Sequence, residues 1–305
     1  MNRTLPLGID IGTTRLRIVC TELNTTPRVC AVAARDVPNT SELLPSLIVE
    51  TWDQLRTIER RCVLSVGMPH AQLSSATLKT EEGGRSRAAY AQARCRVDYP
   101  IGDAVVRWHA IDHNHDVYAL GIVRAEALRA MLESFPATSL RVIAIDHDSL
   151  ALQRALPQYD AVLDIGHART SLHRFSGALP MTICLNAGSA QMTKQIQGDL
   201  GIDQRSAELR KRTYGVNGAG EAALDRLIAE IAAAVEAFER QSGQVQRVAL
   251  VGNGARLVQL PVQLRRACGR HFELAVPVVF ANAPDEGASA DFALAAGLST
   301  WSAAE

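Results

Sequence analysis

Two short runs combine the residue types and spacing that phosphate chemistry needs: Asp10-Ile11-Gly12-Thr13-Thr14, and Asp164-Ile165-Gly166 with Thr170 a few residues on. A glycine between two strands lets neighbouring backbone N–H groups converge, and threonine hydroxyls add donors, which suits a β- or γ-phosphate. An aspartate just before such a turn holds magnesium through water, so Asp10 and Asp164 are the metal candidates. The same residues also satisfy an ordinary β-hairpin. The repetition favours the first reading, because two Asp-Ile-Gly turns, each opening its own segment, can face one another across a cleft and grip one phosphate chain. A third turn, "VALVGNGARL", puts Gly252, Asn253 and Gly254 at a strand-to-helix junction where backbone approaches a base or sugar closely. Arg15 and Arg17 lie two apart on a strand and share a face; both can approach phosphate, and a solvent-facing role fits one of them equally well.

The surrounding pattern says what must position these groups. "LGIDI", "RLRIVCTEL" and "RVCAVAARDV" read as an antiparallel meander, followed by a helical piece from Ser46 to Arg61 and the short apolar strand "CVLSVGMP". From residue 70 to 116 the texture turns polar, which reads as an inserted subdomain. The core pattern resumes at "VYALGIV", so residues 1–69 and 117–158 are assigned to a first lobe and 159–305 to a second. In the second half, "IDQRSAELRKRTYG" is a helix with Asp203 as N-cap and Gly215 as stop. A long helix then starts at Glu221, its Leu224, Leu227, Ile228, Ile231, Val235 and Phe238 on one face and Gly243 closing it. "GASADFALAAGLSTW" reads as a terminal helix.

Bulk properties narrow the function. In 305 residues Lys plus Arg and Asp plus Glu each number 32, a net charge of zero, which argues against a dedicated nucleic-acid binder. The six cysteines have no CxxC or zinc-type spacing and suit a reducing cytosol. No window has the roughly 20 apolar residues a membrane-spanning helix needs, so the chain is expected to be cytoplasmic, without direct membrane insertion. The run "HAIDHNHD" (His109, Asp112, His113, His115, Asp116) reads as a solvated hairpin tip more readily than as a metal site. Neither GxxxxGK[ST] nor a GxGxxG after a strand occurs, which disfavours P-loop and Rossmann classes.

At this point the sequence resembles the actin-like ATPase superfamily, and within it the PilM family of type IV pilus assembly proteins and the related FtsA family. Four stretches carry the resemblance: "GIDIGTTRLRIV", "RCRVDYPIGDAVVRW", "IAIDHDSLALQRAL" and "AGSAQMTKQIQGDLGIDQRSAELRKRTYG". It implies an α/β actin-like fold, with two lobes flanking a nucleotide cleft and a small subdomain inserted in the first lobe. It also implies that ATP and Mg2+ are bound by Asp10, Gly12, Thr13, Thr14, Arg17, Asp164, Gly166, Thr170, Gly188, Ser189, Gly252, Asn253 and Gly254, with Glu208 and Lys211 bordering ribose and base. Asp148 and Asp164 are the catalytic candidates. The chain departs from the family at Arg17 (usually lysine), Ser189 (usually glycine), Asp148 (usually glutamate) and "GNGA" (usually a glycine pair). These changes favour nucleotide binding over efficient hydrolysis, because a shortened carboxylate loses reach to the attacking water.

The partner implied is the N-terminal tail of the inner-membrane protein PilN, bound between the first lobe and the inserted subdomain near Tyr99, Pro100 and Ile101. The protein would then serve the inner-membrane pilus alignment complex as a cytoplasmic adaptor, peripheral to the membrane through its partner. Three alternatives stand beside it: a small-molecule kinase of the same superfamily, an FtsA-like division protein, and a filament-forming cytoskeletal protein. The kinase lacks a nominated base and a zinc loop, and "FALAAGLSTWSAAE" lacks the basic amphipathic helix of a membrane-tethered division protein.

Overall fold

The computed structural model describes residues 3–37, 41–77, 103–112, 117–257, 259–280 and 289–302. Tyr99, Pro100, Ile101, His113, His115 and Asp116 lie outside the described residues.

The first sheet is built on β2 (Leu7–Ile11), whose Leu7 and Ile9 are fully buried. It pairs antiparallel with β3 (Arg15–Leu23), and β3 in turn with β1 (Arg3–Thr4) and β4 (Pro27–Asp36). On its other side β2 runs parallel to β5 (Arg61–Val66), and β5 to β9 (Arg141–His147). Strands buried on both faces read as near-continuous apolar runs, as "RCVLSV" does. Helix α1 (Leu44–Asp53) and helix α2 (Ala125–Glu133) accompany this sheet. The helix expected over Ser46–Arg61 ends at Asp53; Arg56 then takes a left-handed φ of 50° and the chain runs extended into β5.

A separate antiparallel sheet has the order β6-β8-β7, from β6 (Ala71–Thr77), β7 (Ala104–Asp112) and β8 (Val117–Arg124). Residues 117–124, expected to return to the first lobe, instead pair within this sheet, which runs through Arg124. "VYALGIV" is its middle strand and not a return to the first lobe. Tyr118, Leu120 and Ile122 are buried while alternate residues are only partly so, which marks a strand with one covered face.

The last sheet repeats the plan of the first. Strand β10 (Ala161–Ile165) pairs antiparallel with β11 (Thr170–Arg174) and parallel with β13 (Arg247–Val251); β12 (Met181–Leu185) and β14 (His271–Leu274) form the edges. Its helices are α4 (Ser189–Leu200), α5 (Gln204–Tyr214), α6 (Glu221–Ser242) and α7 (Leu260–Cys268). Asp203 caps α5 by accepting from Ser206 N at 3.0 Å, and Gly215 ends it with φ 68°, as the sequence predicts. Helix α6 buries Leu224, Leu227, Ile231, Val235 and Phe238 against this sheet and is closed by Gly243.

Two helices join the halves. Helix α3 (Asp148–Ala155) leaves the end of β9, and its Leu152 and Ala155 share a core with Val162, Ala249 and Val251 of the second sheet. Helix α8 (Ala293–Ser299) lies on β2, β3 and α3 of the first half, where Ser299 Oγ and Thr21 Oγ1 are 2.6 Å apart. The second lobe expected over 159–305 thus hands its final helix back to the first. Periodicity reveals a helix there, but not which sheet it will cover.

Candidate nucleotide cleft

The two Asp-Ile-Gly turns fold identically. Gly12 N donates to Arg15 O at 3.0 Å and Gly166 N to Arg169 O at 2.9 Å, closing equivalent tight hairpins between β2 and β3 and between β10 and β11. Both border one cavity of about 400 Å3. Asp10, Gly12, Thr13, Thr14, Arg17, Asp148, Asp164, Gly166, Gly252 and Asn253, all chosen from sequence, line it.

The cleft floor is an acidic cluster with one internal cation. Arg17 stands opposite Asp10 in the β2–β3 register and donates to Asp10 Oδ2 at 2.9 Å; its other nitrogen donates to Asn253 Oδ1 at 2.6 Å. Arg17 and Asn253 therefore meet across the cleft. Burial raises the pKa of Asp10, against the opposing Arg17 charge. Burial, with the Asp10 charge adding and Arg17 opposing, lifts Asp164 to about 6. Asp148 rises to about 7, chiefly through burial; a hydrogen bond from Ser65 opposes the rise, and the carboxylates of Asp10, Asp164 and Asp146 add to it. Three carboxylates against one guanidinium leave uncompensated negative charge, which a divalent cation relieves. Among the described residues no three carboxylate, imidazole or thiol groups are close enough to hold a metal directly. That donor set fits a hydrated Mg2+ held through water.

Glycines make the floor compact. A Cβ on Gly67 would collide with the Asp148 carboxylate, and one on Gly252, whose φ is 82°, would collide with that of Asp164. Gly254 presses on Ile165 in the same way, so it supports β10 without lining the cleft.

Besides Gly254, five expected contacts sit elsewhere. Thr170 is fully buried on the far face of β11, whereas Ser171, opposite Asp164 in the register, lines the cleft. A strand alternates its faces, so counting from Asp164 through the hairpin finds Ser171 where residue type alone suggests threonine. Gly188 packs against the backbone of His167 to Arg169, and Ser189 N donates to Gly166 O at 3.0 Å; both fasten α4 to the second hairpin. Glu208 and Lys211 bind each other at 2.7 Å, and Lys211 also donates to Ser189 O and Thr193 Oγ1. Neither lines the cavity; they tie α5 to α4. Lys211→Ala is expected to destabilise the fold by about 2 kcal/mol, below the loss for a fully dry pair because the Glu208 side chain is 26% exposed. Urea unfolding checks this.

Sequence reading passed over Arg169, His70 and His167 on the cleft rim. Arg169 was findable, since it occupies in the second hairpin the place that Arg15 occupies in the first.

The chain has the actin-like ATPase fold. It superposes on a solved PilM–PilN type IV pilus biogenesis complex with a TM-score of 0.83 at 23% identity, over 96% of this chain and 97% of that one. It also matches the ethanolamine utilization protein EutJ from Carboxydothermus hydrogenoformans (TM-score 0.61, 14% identity, 98% and 90% covered). A third match is MreB 5 of Spiroplasma citri bound to AMPPNP (0.54, 10%, 97% and 94%). No family model matches the chain, and no curated protein does.

Proposed function

We propose that the chain is a PilM-like, ATP-binding adaptor at the cytoplasmic face of the inner membrane. The observation that carries the nucleotide half of this reading is the pair of equivalent hairpins facing each other over an acidic floor. Superposition on the PilM–PilN complex over almost the whole of both chains supports the adaptor half. AMPPNP in the MreB 5 structure supports ATP as the ligand.

In this reading the N–H groups of Gly12 to Thr14 and of the Gly166 turn cradle the phosphates from opposite sides. Asp10 and Asp164 would hold a hydrated Mg2+ through water, with Asp148 nearby, and that ion would supply charge neutralisation at the phosphates. Asp148, titrating near 7, is suited to accept a proton from water, yet its short side chain limits its reach. Binding is therefore the primary property and hydrolysis the weaker one. The Gly252–Gly254 turn brings the second sheet against the nucleoside side of the cleft. The partner is the N-terminal tail of a PilN-like inner-membrane protein, held near Tyr99 to Ile101, and lobe closure on ATP stiffens that surface. Among the described residues no helix is long and apolar enough to cross a membrane.

Equilibrium binding of labelled ATP to the wild type and to Asp10→Ala tests the site. The variant is expected to bind at least about tenfold more weakly, the loss typical of removing a charged partner from a buried site. Equal affinities would refute the cleft assignment. For the adaptor half, a tail peptide should bind more tightly with Mg-ATP than without; identical affinities would remove the coupling.

A further inference from the structure

The cleft floor is acidic, but its mouth is basic. Arg15, Arg169, His70 and His167 all line the same cavity as the three floor aspartates, and the fourth aspartate there, Asp291, is paired with Arg256 at 3.1 Å. Arg15 and Arg169 are the last residues of the two hairpin turns, each accepting the N–H of its own glycine, so their side chains start from equivalent points on opposite jaws. Unlike Arg17, neither is neutralised: among the described residues neither guanidinium forms an ion pair. Arg15 Nε is buried without a hydrogen-bond partner. Arg169 reaches over the cleft to the Met68 carbonyl at 3.4 Å, a neutral acceptor at the limit of hydrogen-bond length. It also lies beside His70, whose pKa is lowered by burial and then by the Arg169 and Arg124 charges, with Glu126 opposing.

An arginine held only by a long bond to a carbonyl is free to exchange that acceptor for a charged oxygen, with a gain typical of charge-assisted pairs. The ligand that would bring charge to the rim while its inner phosphates lie between the hairpins is a nucleoside triphosphate. We infer that Arg169, seconded by Arg15, is the specificity-determining residue that reads the terminal phosphate and so distinguishes ATP from ADP at this cleft. This rests on the reading of the cleft as a nucleotide site. Because Arg169 belongs to the second jaw and touches Met68 of the first, its change of partner also reports the triphosphate to the segment that leads into β6.

The test is equilibrium binding of Mg-ATP and Mg-ADP to wild type, Arg169→Ala and Arg169→Lys. Arg169→Ala is expected to weaken ATP about tenfold and ADP less than about twofold, with Arg169→Lys recovering part of the ATP loss. A merely structural arginine would move both nucleotides together, so equal losses, or no loss, overturn the inference while leaving the nucleotide site standing. Wild-type protein that binds neither nucleotide removes the parent reading, and this inference with it.

Discussion

Asp148→Asn is expected to make the ligand-free protein more stable at pH 8, by about 2 to 4 kcal/mol, although it alters a candidate catalytic residue. The folded-state pKa of Asp148 lies near 7 against a reference value of 3.8. A carboxyl raised by folding favours the fold fully below its unfolded pKa, and that contribution disappears as pH rises through the folded value. Above pH 7 the native chain carries a recessed charge near three other aspartates, Asp10, Asp164 and Asp146, which the unfolded chain carries in water. Asparagine still accepts the Ser65 hydrogen bond and carries no charge. The gain should therefore be large at pH 8 and absent near pH 4. Urea denaturation of both proteins at the two pH values decides it; a variant no more stable at pH 8 would mean that the cluster is already neutralised. Added Mg2+ should stabilise the wild type more than the variant, since it relieves the same repulsion.

Gly8→Ala is expected to lower stability by about 3 kcal/mol or more, the upper end for forcing atoms into a packed core. Helix α8 crosses β2 so closely that a methyl on Gly8 would collide with the Ala295 carbonyl and crowd Ser299 N. Both obstacles are backbone, so no rotamer change makes room. Gly198, inside α4 with open space where its Cβ would fall, is the matched control: alanine there should raise stability by about 0.5 to 1 kcal/mol. Comparable shifts at the two positions would contradict the close packing of α8.

How much of this was legible in the sequence depends on the range of the interaction. The hairpins were legible because a tight turn is specified within a few residues by Asp, Gly and the flanking apolar strands. Asp203, Gly215 and Gly243 were legible as caps for the same reason. Thr170 was misplaced because residue type was weighed ahead of strand register, which points Ser171 at Asp164 instead. Glu208 and Lys211 came from the resemblance alone; an acid and a base three residues apart on a helix satisfy each other before any ligand. The middle strand β8 and the helix α8 were assigned to the wrong neighbours, since a strand or helix pattern states which face is buried and not what buries it. The Arg17–Asn253 contact was out of reach for sequence reasoning, joining residues 236 positions apart.

The return of α8 to β2 also sets an order of events during synthesis. Val19, Val63 and Ala151 are buried against α8 and the residues just before it. That face of the first sheet stays uncovered until the ribosome has made the whole second sheet and residues through Ser299. Domains that finish early in translation fold as they emerge. Here the N-terminal sheet cannot, and the jaw carrying Gly12 is completed only after the jaw carrying Gly166. A newly made chain thus acquires the second half of its cleft before the first, and a chain cut short before α8 exposes an apolar sheet face beside the Gly12 hairpin.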